Sequence, residues 1–233
     1  MAQPVLKKEE MVAIADAQSS SKAKGNDTNL EVSFLRPDDK IFFEDTKMQD
    51  SDWKQTENVR LPYYKGSFIE LKKDNINVKL IKVTVKCEDE KCPFIKKGDR
   101  FTFEAKAIHL YSDEAEKGIE DMVDLDKLNN ATLLFNLKQR YCRPGHKDMY
   151  TYVTPTLLSI NPYERLIFLE SPDIIKKCHK FIDDPKMNVK ELTPHVFSLA
   201  AKACRSMFRN KIRQAIVISG ESGSGKKKQP KLL

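Results

Sequence analysis

The sequence predicts a mixed α/β chain in three parts: a disordered N-terminal tail over residues 1–30, a small β-rich module over 31–112, and the start of an α/β domain over 113–233. Three observations carry this reading. Short β-prone runs separated by turn residues fill the stretch after the tail. Helical spacing with proline-marked starts takes over after Asp121. Near the C-terminus an apolar run leads straight into a glycine-rich loop of the phosphate-binding pattern.

Size and composition set the limits. At 233 residues the chain can hold one medium domain, or a small domain with part of a larger one. With 40% hydrophobic and 32% charged residues a core can form, but much of the chain must lie at the surface or stay disordered. The formal charge of +7 gives any acidic partner or phosphate a generic attraction. Lysines are interleaved with acids along the chain, which reads as a solvated mixed-charge surface, so no nucleic-acid partner is expected. The five cysteines, Cys87, Cys92, Cys142, Cys178 and Cys204, are odd in number and irregularly spaced. The N-terminus carries Lys7, Lys8, Glu9 and Glu10 where a signal peptide needs an apolar run, and no apolar stretch is long enough to span a bilayer. The expectation is a reducing cytosol and free thiols.

The elements follow in order. Residues 1–30 offer too little apolar surface to offset the entropy of ordering, and they end in the polar run SSSKAKGNDTN. In the β-rich module the clearest strand runs through Val78, Leu80, Ile81, Val83 and Val85, followed by Phe101–Phe103 and Ala107–Leu110. Lys73-Asp74-Asn75 and Lys97-Gly98-Asp99 supply the turns before the first two. This spacing suits a small antiparallel barrel or sheet; the stretch 37–58 gives no assignment. Leu125, Leu128, Leu133, Leu134 and Leu137 fall near one face of a helix over 121–141. Residues 150–160 alternate as a strand bent at Pro155. Ser171-Pro172 starts a helix through about Cys178, and Thr193-Pro194 repeats the device before Phe197, Ala200, Ala201 and Cys204. QAIVIS, residues 214–219, reads as a buried strand.

The chemistry lies just beyond that strand, in Gly220, Glu221, Ser222, Gly223, Ser224, Gly225 and Lys226. Glycines let consecutive backbone N–H groups turn inward around phosphate oxygens, while a lysine ammonium reaches the terminal phosphates. Other constellations are weaker. Cys87-x₄-Cys92 and Cys142-x₃-His146 lack a second pair with zinc spacing, so no metal ligands are assigned. His109 reads as a strand residue, the acids from Asp113 to Asp126 as a solvated approach to a helix, and 143–147 as an exposed turn.

GESGSGK after QAIVIS resembles the phosphate-binding loop of myosins. Three further blocks agree in order: DMVDLDKLNNATLLFNLKQRY (121–141), YTYVTPTLLSINPYERL (150–166) and TPHVFSLAAKACRSMFRNKIRQAIVIS (193–219). The resemblance implies an ATP-driven, actin-based motor, cytoplasmic and cytoskeleton-associated. It places Asn161, Pro162 and Tyr163 at the adenine pocket and residues 220–226 at the phosphates. In-line attack of water on the γ-phosphate would be helped by the loop, Lys226 and Mg²⁺. It also places the β-rich module where many members have a small SH3-like barrel.

Two departures qualify the resemblance. The family follows its loop lysine with a threonine whose hydroxyl binds Mg²⁺, and here Lys227 stands instead; an ammonium has no lone pair for a metal. Lys228 adds a second like charge, and Pro230 would interrupt a helix starting from the loop. The switch loops and the actin-binding surface would fall after residue 233. The expectation is therefore an incomplete P-loop motor domain, truncated and incompetent alone, without light chains. A second reading is a non-enzymatic binding protein that uses the β-rich module and basic surface.

Overall fold

The computed structural model describes residues 35–44, 62–73, 81–90, 92, 95–143, 148–164, 166 and 171–226. The tail, Val78, Leu80, Asp74, Asn75, the 144–147 turn and Lys227 lie outside these residues. The chain divides into two units.

The first unit takes the described residues up to Lys117, with residues 126–135. It is an antiparallel sheet of β1 (Lys40–Glu44), β2 (Tyr63–Lys73), β3 (Ile81–Cys87), β4 (Arg100–Glu104) and β5 (Ile108–Leu110). Consecutive strands pair as a meander from β1 to β4, and β5 returns to the free side of β1, giving the order β4-β3-β2-β1-β5. Period-2 alternation explains the core: Ile41 and Phe43 join Tyr64, Phe68, Val83, Val85 and Phe103 on one side. Phe42 packs its ring on Tyr111 and Phe135 instead, at centroid distances of 4.9 and 5.2 Å. β1 thus has both faces buried and its IFF run does not alternate, which is why 37–58 gave no assignment. Gly66 permits a close approach of β2 to its neighbours, since a Cβ there would lie 2.6 Å from Val85 Cγ1 and 2.9 Å from the Lys86 carbonyl. The Lys97-Gly98-Asp99 turn forms as expected, with Gly98 at φ +94°. After β5 comes the short helix α1 (Asp113–Lys117).

Helix α2 (Asn130–Tyr141) starts in this unit, and its residues from Asn136 on fall in the second. The helix predicted over 121–141 is therefore shorter. Met122–Asp124 is a separate 3₁₀ turn, and Leu128 is exposed. The true start is set by reciprocal capping. Asn129 Oδ1 accepts from the Thr132 N–H at 3.0 Å, and Thr132 Oγ1 accepts from the Asn129 N–H at 3.1 Å.

The second unit comprises Gly118–Leu125 and the described residues from Asn136 on. The strand predicted over 150–160 is instead a hairpin, β6 (Tyr150–Val153) paired with β7 (Thr156–Ser159), with Thr154–Pro155 cis at its turn. The β-prone Tyr-Thr-Tyr-Val before the proline and Thr-Leu-Leu after it fit two short strands on either side of a turn better than one bent strand. Buried Arg140 fastens the hairpin. Its guanidinium donates to Thr151 Oγ1 at 3.0 Å, to the Tyr150 carbonyl at 3.1 Å and to the Gly118 carbonyl at 3.3 Å. Beside it Asn136, fully buried, exchanges two hydrogen bonds with the Ile119 backbone, at 2.8 and 3.1 Å. At the other end of β6, Asp121 accepts from the Thr154 hydroxyl, from the Thr154 N–H and from the Val123 N–H, the last two at 3.2 Å. Burial raises the Asp121 carboxyl, but these hydrogen bonds outweigh it and hold the group below its ordinary value.

Helix α3 (Pro172–Asp183) begins at the Ser171 cap as predicted but runs beyond Cys178. Helix α4 (Val196–Asn210) is capped by His195, whose Nδ1 accepts from the Phe197 N–H at 3.0 Å, and not by Thr193-Pro194. Cys178, Phe181, Met187, Leu192 and Ala201 form the core between these helices. Arg205 seals it, stacking on Phe181 at 4.0 Å and donating to the Met187 and Pro185 carbonyls at 2.8 and 2.6 Å.

Two expectations follow. Replacing Arg140 with Met strands three buried acceptors, so R140M is expected to cost about 3 kcal/mol in chemical unfolding. The lowered Asp121 carboxyl contributes stability above its ordinary pKa of 3.8, and that contribution disappears as pH falls through the lowered value. The stability gap between the native chain and D121N should therefore be constant near neutrality and close in acid; a gap that widens in acid would contradict this assignment.

Candidate functional site

The site begins where the β6–β7 hairpin ends. Ile160 is buried and extends the pairing, its N–H donating to the Met149 carbonyl at 2.8 Å. The chain then turns sharply through Asn161, Pro162 and Tyr163. Asn161 Oδ1 accepts from the Tyr163 N–H at 3.1 Å, an Asx turn that supports the left-handed backbone of Tyr163 at φ +52°. Tyr163 is 43% exposed.

The glycine-rich loop reaches this turn from the far end of the unit. α4 stops at Lys211, which takes the left-handed cap at φ +56° and bonds back to the Met207 carbonyl. Residues 214–219, predicted as a buried strand, form no strand among the described residues. Ile216 is 36% exposed and Val217 86% exposed. A strand exists through ladder bonds to a neighbour, and no described segment supplies them here.

The loop itself is ordered by its own contacts. Gly220, Gly223 and Gly225 all have positive φ, at 148°, 86° and 91°, and such a succession only glycines tolerate. The Lys226 ammonium folds back and donates to the Gly220 carbonyl and to the Glu221 carbonyl, the second at 2.7 Å. The Ser224 hydroxyl donates to the same Glu221 carbonyl at 2.8 Å, and the Ser224 N–H lies 3.3 Å from it. Asn161 Nδ2 donates to the Gly223 carbonyl at 2.7 Å across 62 residues of sequence. Gly225 lies against the same amide, where a Cβ would sit 3.6 Å from Asn161 Cγ. The structure thus brings together the two predicted groups, 161–163 and 220–226. Lys227 is outside the described residues. The Asn161–Gly223 bond had no sequence signal, because it joins segments that no spacing rule connects.

Among the described residues no group of three or more His, Cys, Asp or Glu could hold a metal ion. The described cysteines form no disulfide, and among the described residues Cys87 and Cys92 belong to no metal-ligand set. His109 sits in β5 with Nε2 3.4 Å from Glu44, a strand residue as read.

The fold and loop define a mixed α/β protein carrying a glycine-rich loop of nucleotide-binding pattern beside a hairpin-end turn. Residues 119–233 match the myosin head (motor domain) family, and this match and the relatives that follow support a myosin motor-head fragment. Myosin heavy chain 95F of Drosophila melanogaster is 40% identical over 147 residues, covering 63% of this chain and 11% of that protein. Unconventional myosin-VI of Mus musculus is 36% identical over 60% of this chain and 10% of its own length. Myosin-M heavy chain of Dictyostelium discoideum is 38% identical over 54% of this chain and 7% of its own. The chain spans about a tenth of the length of these relatives. The fly match is longer than 119–233 can hold, so part of it falls within the N-terminal residues.

Lys226 should act locally. K226M frees the Gly220 and Glu221 carbonyls at a surface loop, so global stability should change by no more than about 0.5 kcal/mol. Amide exchange across 220–226 should rise; unchanged exchange there would show that the lysine does not order the loop.

Proposed function

We propose that residues 119–233 are the nucleotide-binding front of an actin-based motor head, with a triphosphate held by 220–226 and an adenine beside Asn161, Pro162 and Tyr163. The observation that carries this reading is the meeting of the two segments through Asn161 and Gly223, 2.7 Å apart. It is supported by a loop with three glycines at positive φ, a lysine ammonium at its mouth and an exposed aromatic ring alongside. Phosphate oxygens would take over the ammonium now shared by the Gly220 and Glu221 carbonyls, because a full negative charge is a stronger acceptor than a peptide carbonyl.

Mg²⁺ does not fit as ATP does. Lys227 replaces a hydroxyl donor with a cation, and the described residues offer no carboxylate set for the ion. No step is routed through the metal, and the reading for this chain is ATP binding without turnover. Actin filaments and a cytoplasmic, cytoskeletal setting belong to the same proposal for the whole protein. No helix among the described residues is long and apolar enough to cross a membrane.

The β-rich unit is proposed as an SH3-like barrel. Four strands in a meander, a 3₁₀ turn at Ala105–Ala107 and a fifth strand returning to β1 support that reading.

Calorimetric titration of the full chain with ATP tests the proposal. Weak binding that Mg²⁺ does not tighten, with no hydrolysis in the presence or absence of actin filaments, is expected. Absence of any ATP binding would overturn the nucleotide reading, and actin-stimulated hydrolysis would overturn the inactivity.

A further inference from the structure

Asn161 stands where the resemblance places a base contact, yet its polar atoms face the protein. Oδ1 is taken by the Tyr163 N–H at 3.1 Å and Nδ2 by the Gly223 carbonyl at 2.7 Å. The assignment of the two amide ends is fixed by these partners. Flipped, the amide would set N–H against N–H at Tyr163 and oxygen against oxygen at Gly223.

The consequence lies in the Gly223–Ser224 peptide. In a trans peptide the carbonyl and the following N–H point to opposite sides. Drawing the Gly223 carbonyl outward to Asn161 therefore turns the Ser224 N–H inward, where it lies 3.3 Å from the Glu221 carbonyl. That distance is at the long end for N–H···O, so this donor is aimed but weakly engaged. It is the kind of inward N–H that a phosphate oxygen takes. Gly223 at φ +86° allows the peptide to take this orientation, and Gly225, also left-handed at φ +91°, lies beside the Asn161 amide.

We propose that Asn161 is a positioning residue for the phosphate cradle, orienting the Gly223–Ser224 peptide so that its N–H faces an anion, and that it does not read the base. The inference rests on the nucleotide reading above and gives one side chain control of the loop from the hairpin end. Binding of a base-free polyphosphate then depends on Asn161 as strongly as binding of ATP does.

N161S tests this in the full chain. A serine hydroxyl can keep the turn onto the Tyr163 N–H, is uncharged, and is too short to reach Gly223. Inorganic tripolyphosphate and ATP should both weaken by the same factor, about tenfold, the effect of losing one well-made hydrogen bond. Loss of ATP affinity with tripolyphosphate binding unchanged would overturn the inference and restore Asn161 as a base contact. If the native chain binds neither ligand, the nucleotide reading fails and amide exchange decides the inference separately. Faster exchange at the Ser224 amide in N161S, with the 150–159 hairpin unchanged, supports it; equal exchange at Ser224 overturns it.

Discussion

The second unit depends on one buried guanidinium. Arg140 leaves the last turn of α2 and spends its donors on Gly118, Tyr150 and Thr151, so a helix, a turn and a strand share one charged group. Asp148 lies 3.9 Å away, loosely opposite the charge. A planar fork with several donors can satisfy three carbonyl or hydroxyl acceptors at fixed angles, which a lysine cannot. Burial disfavours the charged form and pulls the Arg140 pKa down, so the hydrogen bonds are what make the placement tolerable.

From that anchor the geometry of the site follows by short steps. The hairpin is fixed at β6 by Arg140 and at its turn by Asp121. Its far end is fixed by Ile160 on Met149, and one residue later Asn161 reaches across to the loop. The loop has no strand beneath it among the described residues. Its curvature is held by side chains instead: Lys226 and Ser224 on the Glu221 carbonyl, and Asn161 on the Gly223 carbonyl. A loop held this way has its Gly223–Ser224 peptide oriented before any ligand arrives, which would lower the ordering cost of the proposed anion binding.

Local signals in the sequence were read well. The Lys97-Gly98-Asp99 turn and the Ser171-Pro172 helix start depend on two or three adjacent residues and form as read. The glycines of the loop, read as residues that let the backbone turn, take positive φ angles that fit such a turn. What escaped was set by distant contacts or by missing ones. β1 was hidden because its partners Tyr111 and Phe135 bury the face that alternation would have exposed. The start of α2 was placed too early because Leu125 and Leu128 matched a helical face, while the Asn129 and Thr132 caps outweighed that pattern. QAIVIS has the composition of a buried strand, but composition supplies no partner, and the segment lies exposed. The candidate site was legible as two separate motifs. The hydrogen bond that joins them was not, because it depends on the hairpin bringing Asn161 to Gly223.

The central claim is that the loop joined to Asn161 is an anion cradle. The most direct measurement is an amide NMR titration of the full chain with inorganic tripolyphosphate, following backbone signals and the Asn161 side-chain NH₂. The account expects the largest shifts at Gly223 to Lys226 together with the Asn161 amide. Shifts confined to the exposed lysines of α3 and to residues 209–213, with the loop and Asn161 silent, would contradict it and reduce the binding to diffuse surface charge.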